Sequence, residues 1–239
     1  YRKSDKLNHY VNFGFYNFSD INKSRENGIS GTAGINKQVE WFKFSRNQQI
    51  GLDLSTGFFS TKFDTVDVAV NSALIDVNPW LKTSVNDLEF KVGANVNAEV
   101  EPDEDTKMRV FPDLMLRITI KERKFVIHAG LTGDARRNSF EALGYANPFI
   151  VDLPEMRNEI TKVNVYGGIT SQLTRHINFN AHVSNSGFED MALFVADTNE
   201  TLKNRFVPVY DNGSLLHVKG ELGFQLGEKI KVLAGAHLF

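Results

Sequence analysis

The chain has 239 residues, with 19 Phe, 18 Gly, 6 Pro and no Cys, and its formal net charge is −2. The lack of cysteine excludes disulfides and thiolate metal ligands, and the nearly neutral charge argues against nucleic-acid binding, which needs a basic face. A hydrophobic fraction of 41% argues against disorder, while the lack of any apolar run near 18 residues excludes helical membrane proteins only.

Apolar and polar residues alternate along most of the chain with the period of a β-strand, and no helical stripe of convincing length occurs. The alternation is clearest over 88–100, where every second residue from Leu88 to Val100 is apolar. We predict about eleven strands, at 7–18, 29–43, 48–62, 66–80, 86–101, 108–121, 124–132, 161–173, 176–186, 207–226 and 229–239. Several have 13 or more residues, whereas strands of soluble proteins usually have about 5–6.

The predicted connections alternate between short turns, for example 82–85, and generally longer loops, for example 19–28, 133–160 and 187–206. Successive hairpins of an antiparallel sheet point in opposite directions, so the short turns share one end of the sheet and the longer loops share the other. Short periplasmic turns opposite long extracellular loops are the layout of outer-membrane barrels.

These features predict an all-β protein, an antiparallel transmembrane β-barrel in the outer membrane of a Gram-negative bacterium. The long strands suit a tilted crossing of the bilayer, and polar faces rich in Asn, Gly, Lys, Glu and His suit a wet lumen. Aromatic residues cluster at strand ends, as at Trp41 and Phe206, where interface girdles lie. The alternative is a soluble sandwich or a large soluble barrel, whose sheets also alternate.

Three stretches of the sequence carry a resemblance to a known family. AGLTGDARRNSFEALGYANPFI (129–150) opens a long loop after a strand, and 165–184 and 204–238 have similar strand texture with Gly-Glu-Lys turns. Together they resemble the barrel part of large outer-membrane proteins of the Bacteroidetes, including those grouped with TonB-dependent receptors. The resemblance implies more strands than are visible here, a periplasmic plug or partner domain, and uptake of a bulky nutrient.

We expect residues 1–239 to form a single outer-membrane β-barrel domain within a longer chain. Tyr1 is preceded by neither an initiator Met nor a signal peptide, so it is either a processed end or a cut. Phe239 shares the parity of the polar set, which does not suit the terminal Phe of a complete barrel. An odd strand count also cannot close the usual single-chain bacterial barrel.

The expected function is uptake or passage of a solute through a polar lumen, gated by long extracellular loops. The loop 133–160, which is rich in apolar residues, is expected to fold inward, to cap the mouth or to dock a partner. The lumen lining is expected from polar strand faces, at Glu89, Lys91, Glu99, Arg117, His182, Lys219 and Glu221. Arg136 and Arg137 are expected to contact an anionic substrate or lipopolysaccharide phosphate, with loop anchoring as the alternative.

The alternative function is a structural or assembly subunit whose loops dock a surface lipoprotein or a secretion partner. The expected partners are outer-membrane lipids and lipopolysaccharide, a small solute or nutrient, and a surface lipoprotein or TonB-type protein, with no nucleic acid. The sequence contains no G-x-S-x-G, H-E-x-x-H, P-loop or C-x-x-C motif. We therefore predict no enzyme activity, no catalytic residue and no cofactor, and a hydrolase inside the membrane is the least favoured hypothesis.

Two groups of residues could supply metal ligands, and neither is predicted to form a metal site. Four histidines lie on polar strand faces by parity, at His128, His182, His217 and His237. Their spacing contains no i,i+2 or i,i+4 pair, so hydrated lumen histidines are the favoured interpretation. The acidic stretch 101–105 lacks the spaced ligands of an EF-hand loop, which favours a solvated turn over a calcium site.

Overall fold

In the computed structural model, the described residues form one antiparallel sheet of eleven strands that follow one another in sequence order. The structure describes residues 7–43, 45, 47–64, 66–102, 105–120, 125–174, 176–198, 202, 204–226 and 230–238. The strands are β1 (Asn8–Ser19), β2 (Arg25–Val39), β3 (Asn47–Phe63), β4 (Val68–Val85), β5 (Leu88–Val100), β6 (Lys107–Ile120), β7 (Phe125–Arg137), β8 (Asn158–Thr174), β9 (Ile177–Ala196), β10 (Phe206–Leu226) and β11 (Ile230–Leu238). A short helix, α1 (Phe140–Ala146), lies between β7 and β8.

The predicted all-β class and the number and order of the strands are confirmed, but several predicted bounds are wrong. Strand β2 begins earlier, β4 continues through the predicted turn 82–85, and β7 and β9 extend to Arg137 and Ala196. The predicted loops 133–160 and 187–206 therefore shrink to 138–157 and 197–205. The predicted strand ends at 121, 124, 229 and 239 lie outside the described residues.

β-Bulges explain why the predicted strands β7 and β8 are shorter than the observed ones. The register between these strands shifts between Thr132 and Asp134, and that between β8 and β9 shifts between Thr161 and Val163. A bulge adds a residue to one strand and so reverses the alternation of its faces. The apolar–polar pattern breaks at these points, although the strands continue.

The short helix α1 lies within the predicted loop 133–160 and is too short to produce a helical stripe in the sequence. Its N-cap is Ser139, whose side chain accepts a hydrogen bond from the backbone N–H of Ala142 at 3.1 Å. Within the described ranges, no helix has the length and apolar character needed to cross a membrane.

The sheet has two faces of opposite character. We call the face that α1 packs against the inner face, and its opposite the outer face; residues paired in register share a face. Exposed apolar side chains cover the outer face, at Val11, Phe13, Phe15, Ile29, Ile35, Leu52, Leu54, Phe58, Val92, Val110, Leu114, Ile127, Val165, Val183, Leu216 and Val218. Phe13 is 85% exposed, so this band is not covered by any described residue.

Contacts of α1 show that the sheet curls toward its inner face. The Phe140 ring lies 5.4 Å from the Phe18 ring on β1 and 5.3 Å from the Phe63 ring on β3, in edge-on geometry. Since α1 follows β7, these contacts require the first and seventh strands to approach each other across the inner side. The small buried core lies at this end of the sheet, with Phe63 and Phe140 each 1% exposed.

Candidate functional site: the inner face of the sheet

Asp53 joins three strands on the inner face. Its carboxylate accepts a hydrogen bond from the Tyr10 hydroxyl on β1 at 3.0 Å and from the Trp80 indole N–H on β4 at 2.7 Å. Gly51 lies opposite Trp80 in register, and a Cβ there would come within 2.3 Å of the indole ring. Glycine at this position therefore allows the indole to lie flat along the strands and to reach Asp53.

Asp113 is the centre of a second polar network, on β4, β5 and β6. The Lys91 ammonium lies 2.6 Å from the Asp113 carboxylate, which also accepts a hydrogen bond from the Asn78 amide at 2.8 Å. The same ammonium lies 5.8 Å from the centre of the Trp80 ring, within the range of a cation–π contact. Sequence reasoning included Lys91 but missed Asp113, because an isolated acidic residue on a strand belongs to no motif.

The seven residues predicted from polar strand faces all lie on the inner face, in two groups. On β5 and β6, Glu89 lies opposite Arg117 in register and Glu99 contacts Arg109 at 2.8 Å. Lys91 belongs to the Asp113 network in the same group. The second group lies on β9 and β10, at His182, Lys219 and Glu221. Within it, the Lys219 ammonium lies 2.8 Å from the Glu221 carboxylate.

Arg136 and Arg137 point to opposite faces of β7. The Arg137 guanidinium is buried and contacts the Glu101 carboxylate at 2.9 Å, so it anchors the base of the 138–157 loop. The Arg136 side chain is 72% exposed, and its guanidinium lies 3.1 Å from the Glu159 carboxylate. Of the two arginines, Arg136 is the one accessible to a surface ligand.

Glu26 on β2 holds the N-terminus of α1, although sequence reasoning did not single it out. Its fully buried carboxylate accepts hydrogen bonds from the backbone N–H groups of Phe140 at 2.9 Å and Glu141 at 3.0 Å. It also accepts from the hydroxyls of Tyr16 at 2.8 Å and Thr61 at 2.6 Å. A carboxylate is favoured at a helix N-terminus, where unpaired N–H groups carry partial positive charge.

The rest of the 138–157 loop also contacts elements near the start of the chain. The Asn22 amide donates a hydrogen bond of 2.5 Å to the Asp152 carboxylate, which the Arg205 guanidinium contacts at 3.2 Å. A cavity of about 470 Å³ lies between the 20–24 turn and α1, with Ile21 and Tyr145 among its lining residues. The loop therefore crosses the inner side at one end of the sheet.

In the described part of the chain, no group of three or more His, Asp or Glu is arranged to hold a metal ion. Of the acidic stretch 101–105, residues 103 and 104 lie outside the described residues, and Glu101 pairs with Arg137.

Solved structures with the same fold are outer-membrane receptors and transporters. The copper transporter OprC matches with a TM-score of 0.56 and 11% identity over 89% of this chain. The ferripyoverdine receptor of the outer membrane of Pseudomonas aeruginosa matches with a TM-score of 0.52 and 12% identity over 97% of this chain. The FrpB iron transporter from Neisseria meningitidis matches with a TM-score of 0.57 and 12% identity over 97% of this chain. The chain spans 36%, 37% and 40% of the length of these three proteins.

These similarities establish the fold at the level of the barrel wall. Together with the eleven-stranded antiparallel sheet, they confirm the predicted antiparallel barrel architecture. The neighbours come from Pseudomonas and Neisseria where a source is named, so a specific relation to Bacteroidetes proteins stays a prediction. No protein-family model matches the chain, and no curated protein matches its sequence significantly.

Proposed function

We propose that the chain forms part of the wall of a β-barrel in the outer membrane of a Gram-negative bacterium, and that a solute passes along its inner face. The contrast between the two faces carries this proposal. The outer face exposes a continuous apolar band, as at Phe13, Ile29 and Leu54, and such a band is stable against lipid. The inner face carries hydrogen-bonded polar groups, which suit a water-filled lumen.

The proposed lumen lining is close to electrically neutral. Glu89 pairs with Lys82 at 3.0 Å. Lys91, Glu99 and Lys219 likewise each pair with a residue of opposite charge. Paired charges offer both hydrogen-bond donors and acceptors without a strong field of one sign. We therefore do not expect the solute to be selected by its net charge alone.

The 138–157 loop is the proposed gate. Glu26 and Asn22 fix it across the inner side of the sheet, where it narrows any path along the wall. Release of these contacts would widen the path, and loop motion of this kind occurs on microsecond to millisecond timescales or slower.

The neighbours support uptake as the direction of passage. Their names describe a copper transporter, a ferripyoverdine receptor and an iron transporter, in agreement with a chain that is not an enzyme. By analogy we propose that the chain is one barrel domain of a longer receptor that works with a TonB-type partner. We also propose that Arg136, exposed beside the apolar band, contacts lipopolysaccharide phosphate or an anionic substrate.

Reconstitution of the intact protein in planar bilayers tests the pore proposal. We expect discrete conductance steps, and slower gel migration of the protein after boiling in detergent, as for folded outer-membrane barrels. A protein that stays soluble without detergent would contradict the membrane assignment, and the absence of conductance would contradict an open path.

Cross-linking tests the gate, because the chain has no native cysteine. The double variant Asn22→Cys/Asp152→Cys, treated with a short bifunctional thiol reagent of cleavable type, would fix the loop to the 20–24 turn. We expect conductance to fall after cross-linking and to return after reduction. A matched control places the same pair at Ser60 and Asn71, which face each other across β3 and β4 and cannot bridge to the loop. Equal effects in both variants would contradict the gate.

A second function, docking of a surface lipoprotein or secretion partner, is favoured by apolar exposure at the loop end of the sheet. Ile21 is 96% exposed and Tyr145 is 75% exposed, and both line the same cavity beside α1. Co-purification of one protein in fixed stoichiometry, lost in Tyr145→Ser, would support docking. Conductance without any such partner would favour the pore.

A further inference from the structure

Four histidines from four different strands form a continuous row on the inner face, which we call the imidazole row: His128, His182, His217 and His237. His128 and His182 both pair in register with Gly168 of the intervening strand, so they face each other across β8. Lys219 pairs with both His182 and His237, and His217 lies two residues before Lys219 on β10 and therefore on the same face.

Ring contacts join the row from end to end. The rings of His128 and His182 are stacked, with centroids 5.9 Å apart and planes at 22°. The centroid distances are 6.4 Å from His182 to His217 and 5.9 Å from His217 to His237. Tyr166 lies 6.3 Å and 6.2 Å from the first two rings and covers their side.

Gly168 makes the first of these contacts possible. A Cβ at this position would come within 2.7 Å of His128 Cε1 and 2.9 Å of His128 Nε2. The missing side chain therefore allows the imidazole to lean over β8 toward His182. Sequence spacing could not reveal the row, because its members are brought together only by the register of β7 to β11.

Imidazole nitrogen is the commonest protein ligand of zinc, copper and nickel ions. Two nitrogens bound to one zinc ion lie no more than about 4 Å apart, twice the Zn–N distance of about 2.0–2.1 Å. Neighbouring rings of the row are close enough to reach this separation by side-chain rotation. Each pair would supply two ligands, and water would complete the coordination shell.

The charges around the row favour weak binding. Arg117 on β6 lies opposite His128 in register, and Lys219 on β10 lies between His182 and His237. Glu221 offsets the charge of Lys219 at a distance of 2.8 Å, but the Arg117 side chain is exposed and its charge would repel a cation. Passage needs binding that is favourable enough to admit an ion and weak enough to release it.

We propose that the imidazole row binds a late first-row divalent cation, such as Zn²⁺ or Cu²⁺. The ion would bind between successive pairs of histidines on the barrel wall. The proposal rests on passage along the inner face and names the class of solute. His128 and His182 form its first pair, because they have the smallest angle between ring planes and the clearest space between them.

Calorimetric titration of the intact, detergent-purified protein with Zn²⁺ tests metal binding by the imidazole row. The protein must carry no histidine-rich affinity tag. We expect the double variant His128→Asn/His182→Asn to weaken zinc binding at least about tenfold, as loss of groups that support a metal commonly does. The matched control is His9→Asn/His176→Asn, since His9 lies on the outer face of β1 and His176 in the β8–β9 turn. Equal weakening in both variants, or in neither, would overturn the proposal.

Electron paramagnetic resonance of the unsubstituted protein with one equivalent of Cu²⁺ keeps the test independent of variant folding. We expect hyperfine coupling to two imidazole nitrogens, and a spectrum without nitrogen coupling would overturn the site.

Bilayer conductance separates this proposal from the pore itself. Conductance without zinc binding would support the pore and contradict the metal site. Zinc binding without conductance would support the metal site but contradict its role in passage.

Discussion

At the scale of single residues, one carboxylate connects distant parts of the chain. Glu26 accepts four hydrogen bonds, two from hydroxyls of neighbouring strands and two from the backbone of α1. A buried carboxylate without partners would be strongly unfavourable, and here four donors replace the lost water. The position of the 138–157 loop therefore depends on the charge and reach of one side chain.

Replacement of Glu26 by Ala should release α1 from the sheet. Two backbone N–H groups of the helix and the Tyr16 and Thr61 hydroxyls lose their acceptor, at a cost of about 1–3 kcal/mol for groups that stay buried. Hydrogen exchange of the Phe140 and Glu141 amides, measured by mass spectrometry, should become faster. The control Glu189→Gln removes a more exposed pair with Lys162 and should leave these amides unchanged.

Docking of α1 should also depend on pH through Glu141. Burial, together with the nearby Glu26 carboxylate, raises the pKa of Glu141 above its ordinary value of 4.5. The docked loop thus binds this proton more tightly than the free loop, so docking is strongest at low pH and weakens as the pH rises through the raised pKa. A fluorescent label on Ala146→Cys should report more exposure at pH 7 than at pH 4.5, and Glu141→Gln should remove that difference.

At the scale of elements, the sequence predicts strands well wherever the alternation is unbroken. Strand β5, with an apolar residue at every second position, is predicted within two residues at its start and one at its end. Strand β7 is predicted only to 132, because the bulge beyond Thr132 changes the parity of the following residues. Local pattern therefore locates strands, whereas bulges depend on pairing with the next strand.

The β4–β5 hairpin offers a test of local backbone geometry. Asn86 has φ of 52° in the two-residue turn between Val85 and Leu88, a conformation that Asn and Gly tolerate. Asn86→Val should destabilise the hairpin by about 1–2 kcal/mol, because a branched side chain is strained there. Asn86→Gly is the control and should be nearly neutral; urea unfolding in lipid vesicles measures both.

At the scale of the whole molecule, the division into two faces was predictable from parity, but contacts across the inner side were not. Parity placed Lys219 and His182 on the polar face, whereas only the register shows that they lie opposite each other. The Glu26 contact with α1 spans 114 residues, and no local pattern encodes such a distance. The imidazole row likewise depends on the relative register of five strands.

The two faces should respond differently to charge. Leu54 lies near the middle of β3 on the outer face, and Leu54→Lys should destabilise the folded protein in lipid by about 2–4 kcal/mol, as for lysine near the bilayer midplane. Ser55→Lys, at the next position but on the inner face, should have little effect. Unfolding in vesicles compares the two variants, and equal destabilisation would contradict the membrane-facing assignment of the outer face.

The strict sequence order of the strands has a consequence for assembly. Each strand pairs with the strands next to it in the chain, so the sheet can grow one hairpin at a time with little loop-closure cost. The bonds from Glu26 to α1 are different, because they join β2 to the segment after β7 and need the strands between them to be paired and curled. Protection of α1 is therefore a late event in folding, and it reports that the wall has reached its final curvature.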